Sequence, residues 1–314
     1  MIVIGGGIAG RMAAGYFSHF NPEVYEAKKE ESSDHKAIMR FRDFSIGYLL
    51  GTPLEQICVE KAIYYRGNFV EPSPMILNLY SRKVARGIYP RSIRFTESAD
   101  RFIAKQPYRH LVANYGWNLK RVEPLRCFFT TTGEGTDKIV DYDVCISTIP
   151  LPIMAKAAGI DLGETKIESY PIYVTRFKLE VPSEVYQTIY FPDLDFSAYR
   201  VSLECQDLVI ECQSNPLRQS DLLIICHAFG IPMAGLYDGH DYVQENGKIV
   251  EMDDSFRKKV LIELTEKYSI YSLGRYATWR NITSDVLLGD LSKISEMMKL
   301  SQSARKYSMR LGVP

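Results

Sequence analysis

The stretch that most restricts what this chain can fold into lies at its start, where the apolar run Ile2-Val3-Ile4 leads straight into Gly5-Gly6-Gly7-Ile8-Ala9-Gly10. Glu26 follows sixteen residues after Gly10, at the end of Glu23-Val24-Tyr25-Glu26 and just before Ala27. Strand, glycine turn, helix, strand and acid thus come in the order of a dinucleotide site. Gly5 permits a sharp turn off the strand, Gly7 lets backbone amides approach a pyrophosphate, and Gly10 lets the helix pack against the strand. The helix start at Ile8 and Ala9 then offers unpaired N–H groups to the phosphates. A glycine turn without a ligand would use the same residues, so the context has to decide. Ile8, Met12 and Tyr16, with Ala13, Phe17 and Phe20, recur at helical spacing and predict one apolar face laid on a sheet. Glu26 can accept from a ribose 2′-hydroxyl but repels a 2′-phosphate, so FAD or NAD fits better than NADP.

At 314 residues the chain exceeds the usual single core, which predicts two domains or one elaborated α/β domain. No apolar run approaches the roughly 18 residues a membrane helix needs, and the chain opens on a core strand rather than a signal peptide. The expected location is therefore cytoplasmic, with no membrane partner. Cys58, Cys127, Cys145, Cys205, Cys212 and Cys226 form no CxxC pair and read as reduced core residues. The five histidines are scattered, and no metal site is expected.

Lys plus Arg and Asp plus Glu balance at 38 each, but unevenly along the chain. From His35 to Arg126 there are 16 basic residues against 7 acidic ones. Within that half, Arg82, Lys83, Arg86, Arg91 and Arg94 interleave with Tyr80 and Tyr89 and no acid. Such a stretch suits phosphate contact and base stacking; a solvated face, or contacts to a cofactor's own phosphates, would look the same.

Lys28 to Asp34 reads as a loop, and His35 to Gly51 as alternating basic and apolar residues. Strands are predicted at Leu111–Ala113, Leu125–Thr130 and Val144–Ile149, with a turn at Gly133-Glu134-Gly135, forming a β-meander that returns to a parallel sheet. A second strand-rich block covers Ile172–Leu179, Thr188–Phe191, Ser197–Glu204, Leu208–Gln213 and Leu222–Ala228. Ser255–Lys267 reads as an amphipathic helix, Gly274–Trp279 as a short extended segment, and Asp285–Met298 as a closing helix started by Thr283, Ser284 and Asp285.

The strand Asp143 to Ile149 runs into Thr148-Ile149-Pro150, where the prolines stop the ladder and leave Thr148 at a carboxyl end that faces a cofactor crevice. With these residues the sequence resembles the superfamily of FAD-dependent amine oxidases, protoporphyrinogen oxidases and UDP-galactopyranose mutases. Gly274-Arg275-Tyr276-Ala277-Thr278-Trp279 followed by Asp285-Val286 looks like the mutase version of its carboxyl-terminal segment. The resemblance implies FAD over Gly5, Gly7 and Gly10, with Arg275 near the phosphates or flavin, the closing helix pointing at the isoalloxazine, and Ile8, Ala9, Arg11, Glu26, Ala27, Arg40, Thr148, Pro150 and Trp279 in the cofactor site. Arg11 departs from the smaller residue usual there and would add a cation beside the pyrophosphate. The short chain implies a reduced substrate region.

The expected fold is α/β: a Rossmann-like FAD-binding domain with a parallel sheet and meander over residues 1–50, 105–165 and 268–314, plus a smaller strand-rich substrate domain over 51–104 and 166–267. Candidate substrate residues are Tyr173, Arg176, Tyr199, Arg200 and His227, the last three also the candidates for catalysis. Each has a plain alternative as a core-edge tyrosine, a solvated arginine or a buried histidine. His35 to Arg42 and Asn78 to Val84 are similar to segments of small bacteriophage flavoproteins, some of which remodel an amino-acid-bearing thymine in viral DNA. That resemblance implies a host-cytoplasm location and gives Tyr80, Arg82 and Lys83 a nucleic-acid role. The expected reaction is hydride transfer from beside an amino group to flavin N5, by an oxidase or lyase acting on an amine-bearing small molecule, a modified nucleotide or DNA. A mutase using reduced FAD without net redox change and a non-catalytic flavin- and DNA-binding module are the alternatives.

Overall fold

A computed structural model describes residues 1–31, 37–85, 98–131, 135–165, 167–213 and 217–310. The apolar run forms β1 (Ile2–Ile4), the glycines lead into α1 (Ile8–Tyr16), and β2 (Glu23–Glu26) returns parallel to β1. Next come α2 (Ile46–Leu50), the long β3 (Leu54–Tyr65), β4 (Asn68–Val70), α3 (Pro74–Ala85) and β5 (Ala99–Ala104). β6 (Asn114–Tyr115) precedes an antiparallel trio, β7 (Trp117–Glu123), β8 (Arg126–Thr131) and β9 (Asp137–Asp141), before β10 (Cys145–Ser147) and α4 (Leu151–Ala157). β11 (Ser169–Leu179), β12 (Tyr186–Tyr190), β13 (Ala198–Glu204) and β14 (Asp207–Cys212) follow. The chain continues through α5 (Gln219–Phe229), β15 (Leu236–Ile249), α6 (Asp254–Tyr268), β16 (Ile270–Ser272) and α7 (Val286–Arg310).

The fold is mixed α/β. A five-stranded parallel sheet has the order β16-β10-β1-β2-β6. An eight-stranded sheet runs β15-β11-β14-β13-β12-β3-β4, with β5 also on β3; its strands are antiparallel except for β12 beside β3. The trio β7-β8-β9 is the meander. Both faces of the parallel sheet are covered, which is why its central strand β1 reads as an unbroken apolar run. One face packs Met12, Phe17, Ile46 and Leu291 from α1, α2 and α7, and the other Met154, Val260 and Leu264 from α4 and α6. Burying each large side chain contributes about 1.5–3 kcal/mol.

Several elements differ from the sequence reading. Leu222–Ala228 lies in α5, ended by Gly230 at φ +65°. A continuous apolar run suits a buried strand or a helix equally; here Ile225, Cys226 and Ala228 turn inward while Leu223 and Ile224 stay exposed. Gly274–Trp279 is a compact turn, not an extended segment: Thr278 N–H bonds to Gly274 O at 2.9 Å and Arg280 N–H to Arg275 O at 3.0 Å. Pairing with β2 occurs at Asn114 and Tyr115 instead of Leu111–Ala113. β7 and β9 escaped the pattern because Lys120-Arg121 and Asp137-Lys138 interrupt the alternation. Phe20 is exposed, as are Cys58 and Cys205, while the other four cysteines are buried and all six are free. His35, Lys36, Arg86, Tyr89, Arg91, Arg94, Gly133 and Glu134 lie outside the described residues. Among the described residues no helix is long and apolar enough to cross a membrane, and no group of three or more His, Cys, Asp or Glu is placed to hold a metal.

Candidate cofactor and substrate site

At the carboxyl ends of the parallel strands, where open α/β sheets bind ligands, the glycine turn is shaped by backbone sterics. Gly5 has φ +102°, and a Cβ there would stand 2.4 Å from Thr148 Oγ1. A Cβ on Gly10 would meet Gly5 O at 1.9 Å, so this position holds α1 close against the turn. A Cβ on Gly7 would meet nothing within 4 Å. Gly7 is also the N-cap of α1; no side chain caps that end and no acid lies in the first turn. The first N–H groups of α1, on Ile8 and Ala9 among others, have no partner within the helix, and the space beside Gly7 is open.

The other two signatures converge on this turn. Thr148 N–H bonds to Ile4 O at 2.9 Å, and its hydroxyl lies 3.0 and 3.1 Å from the carbonyls of Ile4 and Gly5. Thr148 therefore braces the turn from behind. Pro150 caps α4, and Leu151 N–H donates to Tyr276 O at 2.9 Å. Leu273 N–H bonds to Ser147 O at 2.8 Å, and Gly274, at φ +98°, lies so close to α1 that a Cβ would stand 2.9 Å from the Cβ of Ala9. Glu26 accepts from Gly6 N–H at 2.5 Å and Lys28 N–H at 3.1 Å, which fixes its carboxylate at the end of β2; Ala27 beside it is exposed.

Four expected cofactor residues also have partners within the protein. Arg11 pairs with Glu31 and donates to Arg109 O at 3.0 Å; His110 also meets Glu31. Burial works against the Glu31 charge, but the bonds from Arg11 and Leu111 N–H outweigh it and hold its pKa below the usual carboxylate value. Arg40 is spent on the large sheet, bonding to Glu204 at 3.1 Å, Thr188 Oγ1 at 2.8 Å and Leu203 O at 3.2 Å. Burial lowers its pKa, with Glu204 opposing. Trp279 is a core pillar, its indole N–H on Val250 O at 2.9 Å. Arg275 bonds to Asn281 at 3.1 Å and lies over the Tyr276 ring.

The substrate candidates divide between the two faces of the eight-stranded sheet, as strand alternation requires. On one face Tyr199 donates to Glu211 at 2.6 Å, and Arg200 grips the same carboxylate at 2.5 and 2.7 Å. Burial opposes ionisation at Glu211, yet Arg200 holds its pKa down; burial likewise works against Arg200, and Glu211 raises it. Burial, seconded by Glu211, raises Tyr199. Lys248 lies 5.1 Å over the Tyr199 ring, Tyr190 and Tyr242 border this cluster, and Arg176 is 3.5 Å from Asp207. Tyr173 packs on the opposite face, and His227 is exposed on α5 over that face, so neither joins the cluster nor is His227 buried.

The basic stretch is also divided. Arg82 is exposed, whereas Lys83 is buried with its ammonium donating to the carbonyls of Phe191 (2.9 Å), Asp193 (2.5 Å) and Ala198 (2.7 Å). Burial pushes Lys83 down to about 7, with Asp193 opposing. Tyr80 is buried edge-on to Tyr190, 5.0 Å between centroids. Sequence reasoning took Lys83 and Tyr80 for surface groups because alternating basic and aromatic residues resemble a nucleic-acid face. Sequence reading missed Glu211, Tyr190, Tyr242 and Lys248; the only available signal was a lone acid in the apolar strand Leu208-Val209-Ile210-Glu211. A groove lined by Met1, Leu125, Arg126 and Tyr142 lies at the opposite, amino-terminal end of the parallel strands.

No protein-family model matches the sequence, and no curated protein matches it. The fold is similar to that of several solved structures. A reduced UDP-galactopyranose mutase superposes with a TM-score of 0.67 at 14% identity, over 95% of each chain. A CLA-producing fatty acid isomerase from P. acnes gives 0.61 at 13% identity, over 94% of this chain and 97% of its own. An oxidoreductase from Methanosarcina mazei gives 0.53 at 9% identity, over 87% and 94%. At such identities the likeness is one of fold.

Proposed function

We propose that this chain is an FAD-dependent oxidoreductase that acts beside an amino group of its substrate. The observation that carries the reading is the meeting of three distant segments, Gly5–Gly10, Thr148–Pro150 and Leu273–Gly274, around an uncapped helix start that Gly7 leaves open. Residues 1–50, 105–165 and 268–314 then form the cofactor half, and 51–104 with 166–267 the substrate half. The α1 amides would hold the pyrophosphate, and Glu26 retains lone pairs for ribose hydroxyls beyond those used by Gly6 and Lys28. FAD supplies a two-electron acceptor when bound. The chain's own part is placement. Tyr190, Tyr242 and the Tyr199–Glu211–Arg200 cluster give a substrate a rigid, largely aromatic wall in which every charge is already balanced, so a neutral amine can lie against it without a bound counter-charge. An amino-acid-bearing thymine in phage DNA or nucleotide is the finer reading, with Arg82 as its exposed cation on α3.

A second reading, isomerase or mutase chemistry without net oxidation, is favoured by the fold likeness to the mutase and the isomerase over about 95% of each chain. One experiment separates the two. Cofactor released from purified protein is identified by mass spectrometry, and the holoprotein is mixed anaerobically with amines. Bleaching of the visible flavin band supports the oxidoreductase. Turnover seen only after prior reduction with dithionite supports the second reading, and absence of FAD removes both.

A further inference from the structure

The 11 residues of α5 are apolar on both sides of the helix. On the inner side Ile225 and Ala228 pack on the large sheet, and the one acid of the helix, Asp221, is buried there. The exposed positions are Gln219, Ser220, Leu223, Ile224 and His227, which helical spacing gathers into one stripe without Asp, Glu, Lys or Arg. Leu223 is 55% exposed and Ile224 40%. The other long surface helices are built differently: the exposed positions of α6 include Lys258, Lys259, Glu266 and Lys267, and those of α7 Lys293, Glu296 and Lys299. A helix that is apolar all round belongs in an interior, so the outer stripe of α5 calls for a cover. More apolar surface lies on the same side of the sheet. Phe69, 58% exposed, is paired with Tyr64, and Val243, 46% exposed, with Tyr173; both tyrosines belong to the cluster beneath α5.

The stripe complements itself. If two copies of α5 cross antiparallel about a two-fold axis between Leu223 and Ile224, residues equally far on either side of that axis face one another. Leu223 then meets Ile224 of the second copy, and Ser220 meets its His227 in an uncharged hydrogen-bonding pair. Arg218, the N-cap of α5, has a side chain 54% exposed while paired with Asp221 at 3.0 Å. In this arrangement it stands at the carboxyl end of the other helix, where the helix dipole favours a cation. No like charges are brought together along the stripe, and the two helix dipoles run in opposite senses.

We propose that α5 is a dimer contact whose occupant is a second copy of this chain, packed antiparallel on Leu223 and Ile224. The contact lies away from the glycine turn and does not depend on the oxidoreductase reading. One helix stripe is smaller than the roughly 800 Å² per partner of a standard interface, so the dimer is expected to dissociate in about the micromolar range.

Sedimentation equilibrium of the full chain from about 1 to 200 µM tests the contact. Wild type is expected to pass from monomer to dimer, and Leu223→Glu and Ile224→Lys are each expected to weaken association roughly tenfold or more. Both positions are exposed, so each variant should melt within about 1 °C of monomeric wild type and keep its FAD content. The pairing geometry is read by mixing. A Leu223→Glu/Ile224→Glu protein and a Leu223→Lys/Ile224→Lys protein should each stay monomeric alone and form a dimer together, because every glutamate then faces a lysine. The proposal is overturned if wild type is monomeric throughout, as it would be were the stripe covered by a different protein. A dimer that survives both single substitutions, or charge variants that fail to pair on mixing, would overturn it equally.

Discussion

Gly7 and Gly10 sit three residues apart and constrain the chain in different ways. Gly10→Ala drives a methyl into Gly5 O and is expected to lower both stability and FAD content; Gly7→Ala meets no protein atom, so it should leave the melting temperature unchanged while cutting FAD occupancy about tenfold. Equal FAD content in wild type and Gly7→Ala would argue that nothing approaches the α1 amides. Thr148→Val removes the hydroxyl that braces the turn and should cost about 1 kcal/mol in urea unfolding, with Thr148→Ser near wild type. Lys83 gives a pH test. Its folded pKa is depressed to about 7, so between roughly pH 7 and 10 the unfolded chain binds more protons and stability rises with pH. That slope, at most about 1.4 kcal/mol per pH unit, should be absent in Lys83→Met; parallel pH profiles for the two proteins would contradict it. The glycines were legible in the sequence because their constraint is local. Lys83 and Arg40 were not, since their carbonyl and carboxylate partners lie more than 100 residues away.

Among the elements, the turn after β16 is the most exposed to a test. Gly274→Ala would have to keep φ +98° while placing a methyl against Ala9, so it should push the turn off α1 and lower FAD content at a cost of about 1–3 kcal/mol. A variant with wild-type stability and full flavin would show that this turn takes no part in the cradle. β1, β2, β10 and α1 were readable because they are buried on both sides or have a clear helical stripe. α5 was misread since Leu222 to Cys226 is apolar at every position, which removes the period that separates helix from strand. β15 was invisible for the opposite reason: Tyr237 to Gln244 is largely polar and exposed, and its strand form comes from pairing with β11 rather than from its own pattern.

Across the whole molecule, the parallel sheet and the glycine turn could be read from sequence, whereas the face of the large sheet that carries Tyr199, Arg200 and Glu211 could not. Its members come from β11 to β15, and which side chains share a face depends on a bulge between Ala198 and Arg200 that shifts the register by a residue. The β12–β3 pairing likewise joins strands more than 120 residues apart, a contact without local signature. The same connectivity governs how the protein is made. β1 and β2 emerge from the ribosome at once, but β16 and Gly274, which finish the cradle, are translated nearly 250 residues later, on the order of ten to fifty seconds at ordinary synthesis rates. For that interval the dinucleotide motif exists as sequence without its closing wall, and a nascent or truncated chain has no complete seat to load. The approach of Gly274 to Ala9 therefore waits for the last strand, and on the FAD reading proposed above cofactor capture would wait with it.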